Sequence, residues 1–119
     1  MDGLTPPVSL VRAAIHADAP AIVSMSRKFY ATTNYAGLAP MDDDQVATIA
    51  AMLIDTGVML VAEVDGTVMG MIGLAVMPFT FNPALTIAAE VVWWVEPDAQ
   101  RLGLGRALRS EEHTSELQS

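Results

Sequence analysis

The sequence contains no cysteine. Disulfides, thiolate metal ligands and cysteine nucleophiles are therefore excluded, and the absence fits a reducing compartment. Lysine is almost missing: Lys28 stands alone, so a phosphate loop of the form G-x-x-x-x-G-K-(S/T) cannot be built. Long apolar runs are also lacking. The longest, Val68 to Met77, has ten residues, where a membrane-spanning helix needs about 20. The first residues, MDGLTPPVSL, carry neither the basic nor the apolar segment of a signal peptide. Cationic side chains are few, six against 14 Asp and Glu for a formal charge of −8. A nucleic-acid backbone would be repelled rather than neutralised. The expectation is a cytoplasmic protein with neither nucleic acid nor membrane as partner.

What is present is apolar surface. Of 119 residues, 52% are hydrophobic and 17% charged, enough to offset ordering entropy over one domain and too much for a disordered linker. Val8 to Ile15 reads as a short strand. Asp18, two residues before Pro20, is expected to cap a first helix reaching about Ala31, with Ile22, Val23, Met25, Ser26 and Phe29 at helical spacing. Thr32 to Pro40 is loop-like. Asp42, Asp43 and Asp44 open a second helix, where carboxylates favour the positive end of the dipole, and Gly57 ends it. Capping and solvation account for the three aspartates better than a metal site does. His16 and His113 have no partner at ligand spacing.

Strands are predicted over Val58 to Val64 and Thr67 to Met77, flanking the hairpin signal Asp65-Gly66. A loop from Pro78 to Pro83 leads to a third, Leu85 to Val95, which Pro97 stops; Gln100 to Leu108 begins a helix. The order is β-α-α-β-β-β-α.

The segment from Val95 to Gly105 combines a strand exit, a proline-bounded turn and a glycine-rich helix start. Unpaired N–H groups there form an anion site, and Gly103 and Gly105 clear side chains from it. Arg101, Arg106 and Arg109 reverse the sign of the charge locally. A glycine-shaped turn with solvated arginines is the plainer alternative, and these residues alone do not separate the two. The dinucleotide fingerprint G-x-G-x-x-G fails at Leu108.

The remaining pattern, (Q/R)-x-x-G-x-(G/A) after a strand ending V-x-P, resembles motif A of the GNAT family of acetyltransferases. Gln100, Gly103, Gly105, Val95 and Pro97 carry the match, and the element order extends the resemblance over about residues 8 to 108. It implies an α/β fold of the α+β type: a mixed, mostly antiparallel central sheet flanked by helices. It also implies transfer of an acetyl group from acetyl-CoA, as co-substrate, to an amine by direct attack with no metal. The acceptor class is a small-molecule or peptide amine, and a homodimer is left open. By the family pattern, backbone groups of Trp93, Trp94 and Val95 meet the pantetheine arm and thioester. Gln100 keeps its place in the motif, and amides of Arg101, Leu102, Gly103, Leu104, Gly105 and Arg106 hold the pyrophosphate. Glu90, mid-strand in an apolar run, is the candidate general base, with burial as the means of raising its pKa; a glutamate that faces solvent or pairs with an arginine is the plainer alternative. Trp93 and Trp94 should face opposite sides of the sheet, one in the core. The other would line the acceptor site near Tyr35, Phe79 and Phe81, with ordinary packing as the plainer reading of these loop aromatics.

After Leu108 the apolar stripe stops, since Glu111, Glu112 and Ser115 occupy the next inward positions. Residues 109–119, RSEEHTSELQS, are similar to the translation of a widely used sequencing-library adapter, whose opening AGATCGGAAGAG gives Arg-Ser-Glu-Glu in frame. The expectation is a partial acetyltransferase domain over residues 1–108 and a non-native tail over 109–119. It would lack the family's C-terminal strands and helix and have little or no activity as this chain. Two other classes stay open: a non-catalytic CoA- or nucleotide-binding sensor, and a small α/β interaction module.

Overall fold

A computed structural model describes residues 9–108 and 110. Four strands form one antiparallel sheet in sequence order: β1 (Ser9–Ala13), β2 (Val58–Val64), β3 (Thr67–Phe79) and β4 (Asn82–Val95). Two helices, α1 (Ala19–Ala31) and α2 (Asp43–Thr56), cover one face. A 3-10 turn (Pro97–Leu102) and a helical turn over 104–108 cover the other. The expected β-α-α-β-β-β-α order is the observed one.

Alternation along the strands builds two cores, because successive side chains point to opposite faces. Met59, Val61 and Met71 join Ile22, Met25 and Leu53 beneath the helices. Leu60, Ala62 and Ile72 join Val95, Ala99, Leu104 and Leu108 on the far side. Leu108 is fully buried, so the last apolar position predicted for the terminal helix is anchored in the second core. The expected tail, apart from Ser110, lies outside the described residues.

The hairpin signal holds: Asp65 and Gly66 both take positive φ, 51° and 84°, the backbone that a two-residue turn between twisted strands requires. Asp42 caps α2, its side chain accepting the Gln45 N–H at 3.1 Å. Gly57 follows the last turn, as predicted.

Asp18 departs from expectation. It precedes α1 but makes no side-chain cap there. Its carboxylate accepts the Ile15 N–H at 2.8 Å and two Arg12 guanidinium bonds at 2.8 and 2.9 Å. Arg12 also reaches Glu63 through Nε at 2.8 Å. Asp18 is 7% exposed, and a buried carboxylate gains more from a guanidinium than from an exposed amide. The predicted first strand also ends earlier, at Ala13 rather than Ile15, as the chain turns at Ile15 toward that carboxylate; Val8, where it was expected to start, lies outside the described residues.

The expected loop from Pro78 to Pro83 is instead a tight turn, with β3 running to Phe79 and β4 starting at Asn82. Phe79 pairs with Asn82, and Pro78 with Thr86. Cross-strand pairing carries the strands past both prolines, and the register slips where Pro83, Ala84 and Leu85 lack partners in the ladder. A second irregularity matters more. Gly73 pairs with Val92 and Leu74 with Glu90, so Val91 is an extra residue in β4. A bulge of this kind re-aims the side chains on either side of it.

Candidate active site

The site begins with the bulge. Directly paired residues share a face. Glu90 therefore stands on the face of its partner Leu74, and Trp93 on the face of its partner Ile72. Leu74 and Ile72, two residues apart, lie on the same side. Glu90 and Trp93 are thus brought to one face although three residues separate them. Unbroken alternation would have parted them.

Trp94 pairs with Met71 and packs against the first core, as expected for one of the two tryptophans. Its Nε1 is buried with no hydrogen-bond acceptor among the described residues. Trp93 is 37% exposed on the opposite face. With Trp94, Val95, Gln100 and Gly105 it lines a cleft of about 280 Å³. Five of the sequence-predicted cofactor-binding residues are therefore gathered in one cavity.

The end of β4 is held firmly. Glu96 donates its N–H to the Met69 carbonyl at 2.7 Å, and its carboxylate takes both bonds of Lys28, at 2.8 and 2.9 Å. Gln100 folds back, Nε2 donating to the Val95 carbonyl at 3.1 Å. The motif's Gln thus locks the strand exit to the turn that follows.

The two motif glycines do different work. Gly103 takes φ 75°, the left-handed conformation that closes the 3-10 turn, with open space where a Cβ would be. Gly105 does not stand open: a Cβ there would lie 3.2 Å from Cζ2 of Trp93. Its small size admits the indole as well as clearing the helix start. The first i→i−4 bond runs from the Ala107 N–H to the Gly103 carbonyl at 3.1 Å. The amides of Leu104, Gly105 and Arg106 precede it, in the turn where helices leave N–H groups without an internal acceptor. The backbone of Arg101 and Leu102 belongs to the 3-10 turn, Arg106 is exposed, and Arg109 lies outside the described residues.

Glu90 is exposed, so the burial that its proposed activation relied on is not present. The loop aromatics do not gather around Trp93. Phe79 and Phe81 stack edge-to-face, centroids 5.8 Å apart, at the hairpin tip. Phe79 lies seven positions along β3 from the Trp93 partner Ile72, roughly 23 Å of strand. Tyr35 is 67% exposed beyond α1, its carbonyl accepting the Tyr30 hydroxyl at 2.9 Å.

Sequence reasoning missed the Val91 bulge, the Lys28–Glu96 brace, and an apolar cavity between α1, α2 and β4. The broken alternation of Glu90, Val91 and Val92 was the available sign of the first. The other two join distant parts of the chain and left no local sign. Among the described residues no group of three or more His, Asp and Glu could hold a metal, and no helix is long and apolar enough to cross a membrane.

An antiparallel sheet with two helices on one face, running from its last strand into a glycine-bearing turn over an open cleft, is an architecture this chain shares with solved acetyltransferase structures. The family model of the acetyltransferase (GNAT) family matches residues 22–111, and the chain belongs to that family. Solved structures share the fold at low identity. A possible acetyltransferase from Clostridium difficile 630 aligns with a TM-score of 0.74 at 17% identity, over 90% of this chain and 70% of its own. A predicted acetyltransferase from Clostridium acetobutylicum, solved with acetyl-CoA, gives 0.68 at 16%, over 87% and 70%. An aminoglycoside N-acetyltransferase in complex with CoA gives 0.76 at 9%, over 97% and 73%. No curated protein matches the sequence.

Proposed function

We propose that this protein transfers an acetyl group from acetyl-CoA to a primary amine by direct attack, with no acyl-enzyme. The observation that carries this reading is the cleft at the end of β4, where Trp93, Trp94, Val95, Gln100 and Gly105 converge. Backbone groups of Trp93, Trp94 and Val95 receive the pantetheine arm and thioester, and within the segment from Arg101 to Arg106 the amides of Leu104, Gly105 and Arg106 receive the pyrophosphate, since the Gly103 N–H already donates to the Gln100 carbonyl. Trp94 and the braced Val95 supply a rigid wall. Acetyl-CoA binding and small-molecule amine acceptors are supported by the fold neighbours, which include enzymes solved with acetyl-CoA, CoA and the aminoglycoside sisomicin.

In the reaction the amine nitrogen forms the new C–N bond, the C–S bond breaks, and the thiolate departs. A fixed N–H beside the thioester carbonyl stabilises the oxygen as it gains negative charge. The amine must also lose a proton. Glu90 takes it, directly or through water, from the face it shares with Trp93.

Isothermal titration with CoA and a thiol-release assay with an amine panel test the proposal together. Binding heat with CoA is the expected result, and acetylation of any amine would overturn the expectation that this chain has little or no activity. Absence of CoA binding overturns the reading.

A further inference from the structure

We propose that the outer end of the β3–β4 hairpin is a dimerisation arm, which packs face to face against the same arm of a second copy of this chain about a two-fold axis. The inference has its own observations and is independent of the acetyl-transfer reading. β2 pairs with β3 only as far as Leu74. From Ala75 to Phe79 the strand has β4 as its sole partner among the described residues, so about 17 Å of two-stranded ribbon extends past the rest of the sheet. A ribbon of two strands is marginally stable in water unless something covers one of its faces. Ala75 still reaches the first core. Beyond it Met77 and its partner Ile87 are 40% and 41% exposed, and Phe81 at the tip is 88% exposed. From Thr67 to Ala89 there is no charged residue. The arm therefore has none of the charges that keep an exposed strand from associating.

Charge and shape both single out a second copy as the occupant. The chain carries −8 overall, so two copies repel wherever their charged surfaces meet. The uncharged arm is where they can touch without that repulsion. A cationic partner would find no carboxylate on it. The shape is self-complementary. At the base of the apolar face Ala75 stands opposite Ala89, in the middle Met77 stands opposite Ile87, and at the tip Phe79 stacks edge-to-face on Phe81. Ala75 and Phe79 lie two residues either side of Met77, about 7 Å each way. A two-fold axis through the Met77–Ile87 pair, with the two arms antiparallel, sets the aromatic tip of each copy over the alanine base of the other. Large residues then meet small ones at both ends at once. Such a contact uses the same patch on both copies and closes at two.

The test is sedimentation equilibrium of the full chain at concentrations from about 1 μM to 1 mM. A reversible dimer is the expected result. It should strengthen several-fold as sodium chloride rises from about 0.05 to 0.5 M, because screening removes the repulsion between two anionic copies while apolar burial persists. Ile87→Glu and Met77→Glu each put two carboxylates together at the axis. Each should raise the dimer dissociation constant at least about tenfold, with circular dichroism unchanged because both positions are exposed. Either variant serves should the other fold poorly, and the salt series needs neither. A chain that stays monomeric throughout overturns the inference, as do open-ended aggregates, a dimer that weakens with salt, or a dimer that both folded variants leave intact. A monomer that binds neutral phosphatidylcholine vesicles through these residues would also overturn it, by giving the arm to a lipid surface.

Discussion

Gly105 lies against the indole of Trp93, close enough that a Cβ on the glycine would stand 3.2 Å from Cζ2. The helical turn after motif A and the last residues of β4 are thereby packed face to face, and the cleft between them takes its shape from that contact. Gly105→Ala forces a shift of a few tenths of an ångström. Gly105→Val demands more and displaces the ring. The expected result is a change in tryptophan emission in both variants and weaker CoA binding that grows from Ala to Val, measured by fluorescence and calorimetry.

Glu90 is exposed and shares its face with Trp93. Glu90→Gln keeps shape and removes the base. Whatever turnover the chain supports should fall by about 10²-fold or more while the CoA dissociation constant and the melting temperature stay as they were. Undiminished turnover would assign the proton to another acceptor.

The Arg12–Asp18 contact gives stability a defined pH dependence. The guanidinium hydrogen bonds hold the Asp18 carboxyl below its ordinary value of 3.8. A depressed folded-state pKa stabilises fully above the unfolded value, and the contribution is lost as pH falls toward the folded one. Asp18→Asn should therefore cost about 2 kcal/mol at neutral pH. The gap between the variant and the parent should close below about pH 4, as followed by urea melts across pH 3 to 7.

Leu108 and Leu104 are 0% and 2% exposed, the last buried residues of the chain that the structure describes. Leu108→Ala should destabilise by about 2–5 kcal/mol. A chain ending after Leu108 should unfold within about 0.5 kcal/mol of the parent, because the residues beyond it follow the end of the apolar stripe. A large loss on that deletion would show the tail to be part of the fold.

Local signals were read correctly wherever the physics is local. Asp65-Gly66 offers the positive φ of a tight turn, Asp42 caps the helix that follows it, and Gly57 ends that helix. Period and propensity placed β2 to the residue. Gln100, Gly103 and Gly105 at fixed spacing after a strand were enough to mark the family and the end of β4. Errors arose where a residue's partner is chosen by the packing of whole elements rather than by its own turn of chain. Asp18 looks like a cap until Arg12 on a neighbouring strand claims its carboxylate. Pro78 and Pro83 look like a loop until cross-strand pairing extends through them.

Composition and spacing thus determined the element order, the turn chemistry and the motif, since each depends on residues a few positions apart. Tertiary structure alone decided which faces meet. It inserted Val91 as a bulge, which turned Glu90 toward the Trp93 face, and it seated the indole over Gly105. The reason is that strand register is chosen by the packing of whole faces. A one-residue shift in that register re-aims every side chain beyond it without altering any local preference.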